Sequence, residues 1–547
     1  MNSAPFPLRK PVALAVSMVA AALLGASTIS AQQVSPRVTI ESYEVVGNNL
    51  LPRTQVQNLL APFSGADRGF GDIQRAQDAL RLAYREAGYT TVQVLVPEQE
   101  ISAGIVQLQV FEGTVQKVVI EGNEYHDQAN ILGALPNLEQ GKVPNARKLS
   151  ENLELANQNP SRNLEVVFSL TDNANIQAKI DVKDKAPGRF VVTADNTGSD
   201  DTGEWRTGIG YRHDNLFNRD HSLALHFTTS PEHTDRVKQY SISYRLPLYG
   251  LGDSIDILLA KSEIDAGTSQ TVFGPLNFSG EGNVYAMYYN HYFARRGEYS
   301  SQLTAGIDWR AYDNECDLDN VSCGAASADV TVHPLSLRYQ GQWRSSNQTL
   351  RFDVGYLHNI AGGDNGDDED FILVRPNDTD PSDGAQADYD VIRISGDWQR
   401  QLFGQWQLHL GAKLQYTDEP LVAGEQFGLA GVWAVRGFEE REESRDRGYV
   451  TTAELFSPDL SGVLGERVFE DGGIRALLFL DHARGERVLM SGESDRARVS
   501  LGSAGLGLRM ELDNMLSIRL DVAQVLDEAG EQEAGDVNAH FGFHLSW

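Results

Sequence analysis

The last ten residues of the chain alternate between apolar side chains and polar or small ones. One parity carries Ala539, Phe541, Phe543, Leu545 and Trp547, while the other carries only asparagine, histidine, glycine and serine. Successive side chains of a β-strand point to opposite faces, so this pattern predicts a strand with one apolar and one polar face. A final strand of this kind that ends on an aromatic residue is typical of membrane β-barrels, whose lipid-facing rims carry aromatic girdles.

Alternation of the same period is clear in several earlier segments between residues 190 and 523. In residues 302–311, for example, Leu303, Ala305, Ile307 and Trp309 share one parity. The sixteen predicted strands are residues 190–196, 204–213, 221–229, 236–247, 252–263, 281–294, 299–311, 331–343, 349–358, 387–401, 405–416, 448–456, 472–483, 499–511, 515–523 and 538–547. Their length suits strands that cross a membrane at a tilt.

The connectors between these strands alternate between short and long. Residues 248–251 are a short connector and residues 264–280 a long one, and only the turn at 457–471 breaks the alternation. Membrane barrels have short periplasmic turns and long outer loops, and no sheet edge may face lipid unpaired. We therefore predict an all-β, 16-stranded antiparallel transmembrane β-barrel over residues 190–547, with both barrel ends on the periplasmic side.

The region before the barrel mixes strands with helices, and its order of elements occurs twice. Residues 37–113 read as strand, helix, helix, strand and strand, and residues 114–186 repeat that order. Gly88 ends a helix as a left-handed cap residue does, and Asn145 is a typical N-cap for the longer helix of the second repeat. The pattern predicts two small α+β domains.

Residues 1–31 have the features of a secretory signal peptide. Arg9 and Lys10 precede a short apolar run at residues 12–24, and small residues lead to an expected cleavage near Ala31. That run is shorter than the ~20 apolar residues a membrane-spanning helix needs. Cleavage there leaves only residues 32–37 before the first strand, which are too few for a further helix.

Composition excludes several classes of function. The formal net charge of −30 argues against nucleic-acid binding, since phosphate contacts need a basic surface. No metal, cofactor or catalytic site is predicted, because the HExxH, GxSxG and GxxxxGK[ST] patterns are absent. The only two cysteines, Cys316 and Cys323, lie in one polar segment and are predicted to form a disulfide that closes a small loop.

The sixth outer loop, residues 417–447, contains the tetrapeptide Val435-Arg436-Gly437-Phe438. A later predicted strand contains Phe479-Leu480-Asp481, and Glu454 lies between the two. Together these motifs resemble those of the POTRA-barrel outer-membrane protein-assembly and translocation superfamily. The resemblance implies that the loop folds into the barrel, where Arg436 meets Asp481 on the inner wall and Glu454 is a second acceptor. A lone aspartate among lipid-facing residues is costly, so an inward Asp481 is also the physical expectation.

The two repeats indicate which branch of this superfamily the chain resembles. Residues 88–113 are similar to the first POTRA domain of two-partner secretion transporters of the haemolysin secretion/activation type, which carry two such domains before the barrel. The resemblance implies an outer-membrane pore of type V secretion. Its periplasmic POTRA domains would recognise an unfolded exoprotein, such as a haemolysin or adhesin, by β-augmentation, and its barrel would translocate that exoprotein to the cell surface.

A location in the outer membrane implies further partners for the barrel. Outer-membrane lipids and lipopolysaccharide would surround the barrel, and the barrel-assembly machinery would insert it. Phe541, Phe543, Leu545 and Trp547 would serve as the C-terminal membrane-insertion signal. Three alternatives stay open: a barrel-assembly insertase, whose depletion would lower many outer-membrane proteins; a diffusion porin, which would show steady open conductance; and an enzyme within a barrel, which would need a nucleophile and a base.

Overall fold

A computed structural model describes most of the chain. The described residues are 37–101, 103–171, 175–199, 202–263, 267–271, 274–278, 281–313, 317–318, 321–322, 328–463, 472–495, 497–512 and 515–547. The predicted signal peptide and both Cys316 and Cys323 lie outside these residues, so their predictions stay predictions. The chain divides into two compact units, and the described part of the first comprises residues 37–46, 50–80, 94–101 and 103–109. The second unit comprises residues 47–49, 81–93 and 110–547.

The elements of the first repeat follow the predicted order, except that the first strand is divided into two and one short strand lies between the helices. They are β1 (Val38–Ile40), β2 (Ser42–Val46), α1 (Arg53–Leu60), β3 (Gly65–Arg68), α2 (Phe70–Glu86), β4 (Gln93–Leu95) and β5 (Ile105–Phe111). Strand β2 runs parallel to β5, which is the centre of a three-stranded sheet in the order β2-β5-β4. Ile40, Ile73 and Val106 form a buried apolar cluster in the first unit, because the sheet and α2 each present one apolar face.

The second repeat has a sheet of the same kind. Its elements are β6 (Val115–Glu121), α3 (Gln128–Gly133), α4 (Ala146–Ala156), β7 (Arg162–Leu170) and β8 (Ile176–Asp184), and the sheet order is β6-β8-β7. Asn145 caps α4 as predicted, since its side chain accepts hydrogen bonds from the N–H groups of Arg147 and Lys148. Apolar residues at helical spacing on α4 and at alternate positions on β8 meet in a continuous core.

A buried histidine–aspartate pair closes the end of the second repeat. Asp184 accepts hydrogen bonds from the N–H groups of Glu124, Tyr125 and His126, and its Oδ2 lies 3.2 Å from His126 Nδ1. Burial alone raises the pKa of the Asp184 carboxyl. The hydrogen bonds lower this pKa by a larger amount, so the net pKa is below its ordinary value. The carboxylate is therefore the form that stabilises this corner of the domain.

Sixteen strands close into a barrel, as predicted. They are β9 (Gly188–Asp195), β10 (Arg206–Leu216), β11 (His221–Thr229), β12 (Lys238–Leu248), β13 (Asp253–Ser262), β14 (Gly282–Tyr292), β15 (Tyr299–Tyr312), β16 (Val330–Val332 and Pro334–Arg344), β17 (Gln348–Asn359), β18 (Asp390–Gln401), β19 (Gln407–Tyr416), β20 (Arg447–Phe456), β21 (Gly473–Glu486), β22 (Val499–Leu512), β23 (Leu516–Asp527) and β24 (Val537–Ser546). Every neighbouring pair is antiparallel, and the first and last strands pair as well. Closure satisfies the backbone groups that an open edge would expose to lipid.

The strands differ from the sequence prediction in one interruption and in several bounds; β10, for example, ends three residues later than predicted and β18 begins three residues later. Strand β16 is interrupted at His333, where the side chain of Asn359 accepts the main-chain hydrogen bond of His333 N–H at 2.6 Å. Strands β21 and β23 extend three and four residues beyond the predicted ends at 483 and 523. The sequence prediction missed this extension because the alternation of apolar and polar residues weakens where strands leave the membrane.

The outer connectors carry short elements of their own. Loop five contains the helix α5 (Asp368–Val374), and one-turn 3₁₀ helices occur at Ala61–Phe63, Phe403–Gln405, Ala423–Glu425 and Ser461–Val463. Two-stranded hairpins pair Gly267–Thr271 with Gly274–Phe278, Asp317–Leu318 with Val321–Ser322, and Phe427–Gly428 with Ser444–Arg445. Among the described helices, none has the length and apolar character to cross a bilayer.

A buried polar network, here called the Asp220 hub (Asn130, Arg162, Asp220 and Tyr249), joins the second repeat to the barrel's first two short turns. Asp220 Oδ2 lies 2.5 Å from Arg162 Nη2 and 2.6 Å from the hydroxyl of Tyr249. Asn130 donates from Nδ2 to Asp220 Oδ1 at 2.9 Å. The side chains of Arg162 and Asp220 are 0% and 2% exposed, so this ion pair is shielded from water.

Candidate functional site: loop six inside the barrel

Loop six, which connects β19 to β20, packs its apolar residues against the inner wall. Leu429, Val435 and Phe438 of the loop form one buried cluster with Val450, Ala483, Leu501 and Val525 of strands β20 to β23. These wall residues share the inward parity of their strands, while Leu478 and Leu480 on the other parity of β21 are both 53% exposed. The loop thus packs against an apolar surface on one side of the lumen.

Arg436 makes the polar contacts at the tip of the loop. Its Nε lies 2.7 Å from Asp481 Oδ2 and its Nη2 lies 2.9 Å from Asp481 Oδ1, a bidentate arrangement. Its Nη1 lies 2.7 Å from Glu454 Oε1, and Thr452 hydrogen-bonds both Arg436 and Asp481. We call Arg436, Thr452, Glu454 and Asp481 the loop-six lock.

Strand register explains why these groups converge. Thr452 of β20 pairs directly with Asp481 of β21, and Glu454 pairs with Phe479, so all four side chains project from one patch of inner wall. The guanidinium of Arg436 lies 3.6 Å above the ring centroid of Phe479. Planarity lets Arg436 stack on the ring and bind a carboxylate at the same time, which a lysine ammonium does not do. The side chains of Arg436 and Asp481 are 6% and 0% exposed, so water does not weaken the pair.

Gly437 connects the lock to the end of the chain. Its N–H donates to His540 Nε2 at 2.7 Å, and its carbonyl accepts from Asn538 Nδ2 at 2.7 Å. Its φ of 96° lies in the region that favours glycine, and a Cβ at this position would lie 3.1 Å from the Cβ of Ala523. The VRGF motif therefore needs glycine for both its backbone conformation and its close approach to β23.

Two further anchors hold loop six nearer its ends. In the first, the buried carboxylate of Glu425 lies 2.7 Å from Arg310 Nη1 and 2.7 Å from the hydroxyl of Tyr312. In the second, Asp446 forms a bidentate pair with Arg375 of loop five. Asp446 is fully buried and also accepts hydrogen bonds from the N–H groups of Leu421 in loop six and Val488 in loop seven. The loop is thus fixed at its tip, along its stem and at its base.

A cavity of about 740 Å³ remains on the side of the lumen that loop six leaves free. It is lined by Glu154 of α4 and by Gln158 just after that helix, by Gln340 and Gln342 of β16, and by Trp433 and Arg436 of the loop, among others. Burial raises the pKa of Glu154, although the nearby Arg295 lowers it in part. The cavity therefore extends from the second POTRA-like repeat to the loop-six lock, and most of the residues that line it are of polar types.

The C-terminal residues lie where the barrel closes. Trp547 exchanges two main-chain hydrogen bonds with Phe190, at 2.9 and 3.1 Å, and the ring of Phe541 lies 5.7 Å from that of Trp205. Phe543 and Leu545 pair with Ala194 and Val192 of the first strand. Their aromatic and aliphatic side chains continue the outer face across the closure, and their role as an insertion signal stays a prediction.

Sequence reasoning identified Val435, Arg436, Gly437, Phe438, Glu454, Phe479 and Asp481, and the structure brings all seven together. Sequence patterns did not identify the anchors along the stem and at the base of loop six, which involve Arg310, Arg375, Glu425 and Asp446. Inward parity would have marked Arg310 as a lumen residue, but parity does not show which loop residue reaches a given wall position. Arg375 and Asp446 lie in loops, where no periodic signal exists.

This arrangement defines a class of protein: an outer-membrane transporter in which POTRA domains precede a 16-stranded barrel with its sixth loop folded into the lumen. Comparison with known protein families leads to the same class. The model for haemolysin secretion/activation protein ShlB/FhaC/HecB matches residues 175–510, and the model for the ShlB-type POTRA domain matches residues 38–113. The chain belongs to this family, whose members are two-partner secretion transporters of the outer membrane with periplasmic POTRA domains.

Individual relatives support the same assignment. Outer membrane transporter CdiB of Escherichia coli is 25% identical over 458 residues, which cover 81% of this chain and 74% of CdiB. Heme/hemopexin transporter protein HuxB of Haemophilus influenzae (strain 86-028NP) is 21% identical over 492 residues, covering 86% of this chain and 80% of HuxB. The solved structure of CdiB from Escherichia coli has the same fold, with a TM-score of 0.73 at 19% identity over 95% of this chain and 92% of that one.

Proposed function

We propose that this protein exports one unfolded exoprotein through its barrel to the cell surface, and that loop six closes the pore at rest. The observation that carries the proposal is the loop-six lock, in which the arginine of a loop inside the barrel pairs with two buried carboxylates beside an open cavity. A permanent plug would need no such polar attachment, because apolar packing alone holds a loop more cheaply than buried charges do. The relatives CdiB and HuxB are both named as transporters, which supports the export role.

Recognition of the exoprotein is assigned to the POTRA domains. In the second POTRA sheet β7 is an edge strand, since it pairs only with β8 within the order β6-β8-β7. An extended segment of the exoprotein would add to such an edge, where main-chain hydrogen bonds give affinity and side chains give selectivity. The cavity that begins at α4 of the same domain would then receive the chain. Folding of the exoprotein outside the cell would favour export over return.

The proposal divides the chain into a signal peptide at residues 1–31, POTRA domains at 37–113 and 114–186, and the barrel at 190–547. It assigns no catalytic step to the protein. It also places lipids and lipopolysaccharide around the apolar outer face and the barrel-assembly machinery at the C-terminal strand during biogenesis. The exposed leucines and aromatic residues of the outer face support the lipid contact.

Arg436→Ala tests the proposal. Cells that lack the chromosomal gene would be complemented with the native protein, with Arg436→Ala, or with Arg344→Ala, which removes an exposed arginine at the end of β16. The abundance of proteins on the surface and in the medium would then be compared by mass spectrometry. We expect one large exported protein to fall at least about tenfold with Arg436→Ala and to be unchanged with Arg344→Ala, because the loss of a buried charge pair costs about 3–5 kcal/mol.

The folded state of each variant would be verified by heat-modifiable migration of the barrel in gels. Normal export by folded Arg436→Ala would exclude the assigned role of the lock. A general loss of outer-membrane barrels on deletion of the gene would instead identify an insertase.

A further inference from the structure

A histidine on the wall of the barrel completes the loop-six lock. His409 Nδ1 lies 2.7 Å from Glu454 Oε2, and its Nε2 hydrogen-bonds Asp397 Oδ2. His409 of β19 pairs directly with Glu454 of β20 in the strand register, while Asp397 lies on the neighbouring strand β18. One imidazole therefore contacts two carboxylates, one on each adjacent strand.

The oxygens of Glu454 are divided between two donors. Oε1 accepts from Arg436 Nη1 at 2.7 Å, and Oε2 lies at the same distance from His409. Without a donor at Oε2 the carboxylate is free to rotate about its terminal bond, since such sp²–sp³ torsions have broad minima. The position of the acceptor that meets Arg436 thus depends on a residue that does not contact loop six itself.

We infer that His409 is a positioning residue for the loop-six lock, which it holds closed as a doubly protonated imidazolium bridging Asp397 and Glu454. The inference rests on the proposed function and names the regulation of that site. An imidazole that donates from both nitrogens must carry both protons, because its neutral form has one donor and one acceptor. Its positive charge offsets one of the two carboxylates that would otherwise face each other across β19.

Other charges around the bridge are consistent with this assignment. Arg351 lies 3.6 Å from Asp397, Arg509 lies 4.0 Å from Glu454, and the ammonium of Lys413 donates to the carbonyl of Trp433 in loop six. Arg351 approaches Asp397 Oδ1 and Arg509 approaches Glu454 Oε1, whereas His409 contacts the other oxygen of each carboxylate and joins the two. Removing it would leave Asp397 and Glu454 without their shared counter-charge.

The bridge also places one end of the lock in the cavity. Asp397, His409, Glu454 and Arg436 all line the 740 Å³ cavity, and the exposed fraction of the side chain falls from 34% at Asp397 to 18% at His409, 10% at Glu454 and 6% at Arg436. A polypeptide in the cavity would reach Asp397 and His409 before Arg436. Competition for these two side chains would release Glu454 and weaken the hold on the loop.

The test is the resting conductance of the purified full-length protein in planar lipid bilayers. His409→Leu removes both donors, and His409→Lys keeps a cation that is able to approach both carboxylates. His291→Leu is the matched control, because His291 bonds a single carboxylate, Asp253, that is not part of the lock. Heat-modifiable migration in gels verifies that each barrel is folded.

We expect His409→Leu to raise the fraction of time in the open state at least about tenfold, as the loss of a charge-assisted hydrogen bond implies. His409→Lys should restore most of the native closed fraction, and His291→Leu should behave as the native protein. Native conductance in His409→Leu would overturn the inference, and so would a His409→Lys channel as open as His409→Leu, because the role would then be steric. Conductance needs no exported partner, so either failure would leave the proposed export function standing.

Discussion

Replacement of Asp220 by asparagine, which tolerates the backbone φ of 60° at this position, should loosen the second POTRA domain from the barrel by a predictable amount. Asp220 is the counter-charge of Arg162, and both side chains are almost completely buried. Removing one partner of a buried ion pair costs about 3–5 kcal/mol, largely because the other charge remains without compensation. Since about 1.4 kcal/mol corresponds to a factor of ten, local opening should increase roughly 10²- to 10⁴-fold.

Hydrogen–deuterium exchange in detergent measures this opening directly on β7, where Arg162 is the first residue. The double replacement Arg162→Leu with Asp220→Asn should recover most of the protection, because it leaves no buried charge without a partner. Lys179→Ala serves as the control, since Lys179 forms an exposed pair with Asp181 at 2.8 Å and should leave exchange nearly unchanged. Equal exchange in Asp220→Asn and Lys179→Ala would refute the reasoning, as would a double variant no better protected than the single one.

Three other outcomes follow from the structure. Gly437→Ala should weaken loop-six docking by about 1–3 kcal/mol and raise resting conductance in bilayers, because it forces a Cβ against Ala523 at positive φ; unchanged conductance would contradict the close approach. Arg375→Leu should leave Asp446 as an uncompensated buried carboxylate and speed amide exchange at the base of loop six, whereas equal exchange would remove the base anchor from the account. Asp184→Asn should abolish part of the acid sensitivity of the second POTRA domain in thermal unfolding. A carboxyl with a lowered folded pKa stabilises above its ordinary pKa of 3.8 and loses that effect as pH falls through the lowered value; an identical acid profile in the variant would argue against it.

The barrel was predictable from sequence because a membrane imposes a simple rule on every strand. A strand such as β15 must show apolar residues to lipid at every second position, so Ile307 and Trp309 mark its outer face without any knowledge of its neighbours. The rule fails where strands leave the bilayer, which is why the outer ends of β21 and β23 were placed too early. It also does not register an interruption such as that at His333, which depends on a side chain from β17.

The candidate site was predictable only where a motif carried it. The VRGF and F-x-D motifs gave Arg436 and Asp481, whereas His409 is one of many inward polar residues on the wall. Its importance arises from two carboxylates on the flanking strands, and that depends on register rather than on sequence spacing. The Asp220 hub was missed for the same reason, since it joins residues about 60 to 90 positions apart that no local pattern relates.

Photo-crosslinking inside the working pore tests most directly the central claim that an exported polypeptide passes through the barrel lumen. A photo-crosslinking amino acid would be placed at Gln342, which lines the cavity, or at Leu337, which lies on the same strand with the opposite parity and is 50% exposed on the outer face. After irradiation of actively exporting cells, we predict that one secreted polypeptide is attached through position 342 and none through position 337. Export that continues without any adduct at position 342, or with equal adducts at both positions, would contradict passage of the polypeptide through this lumen.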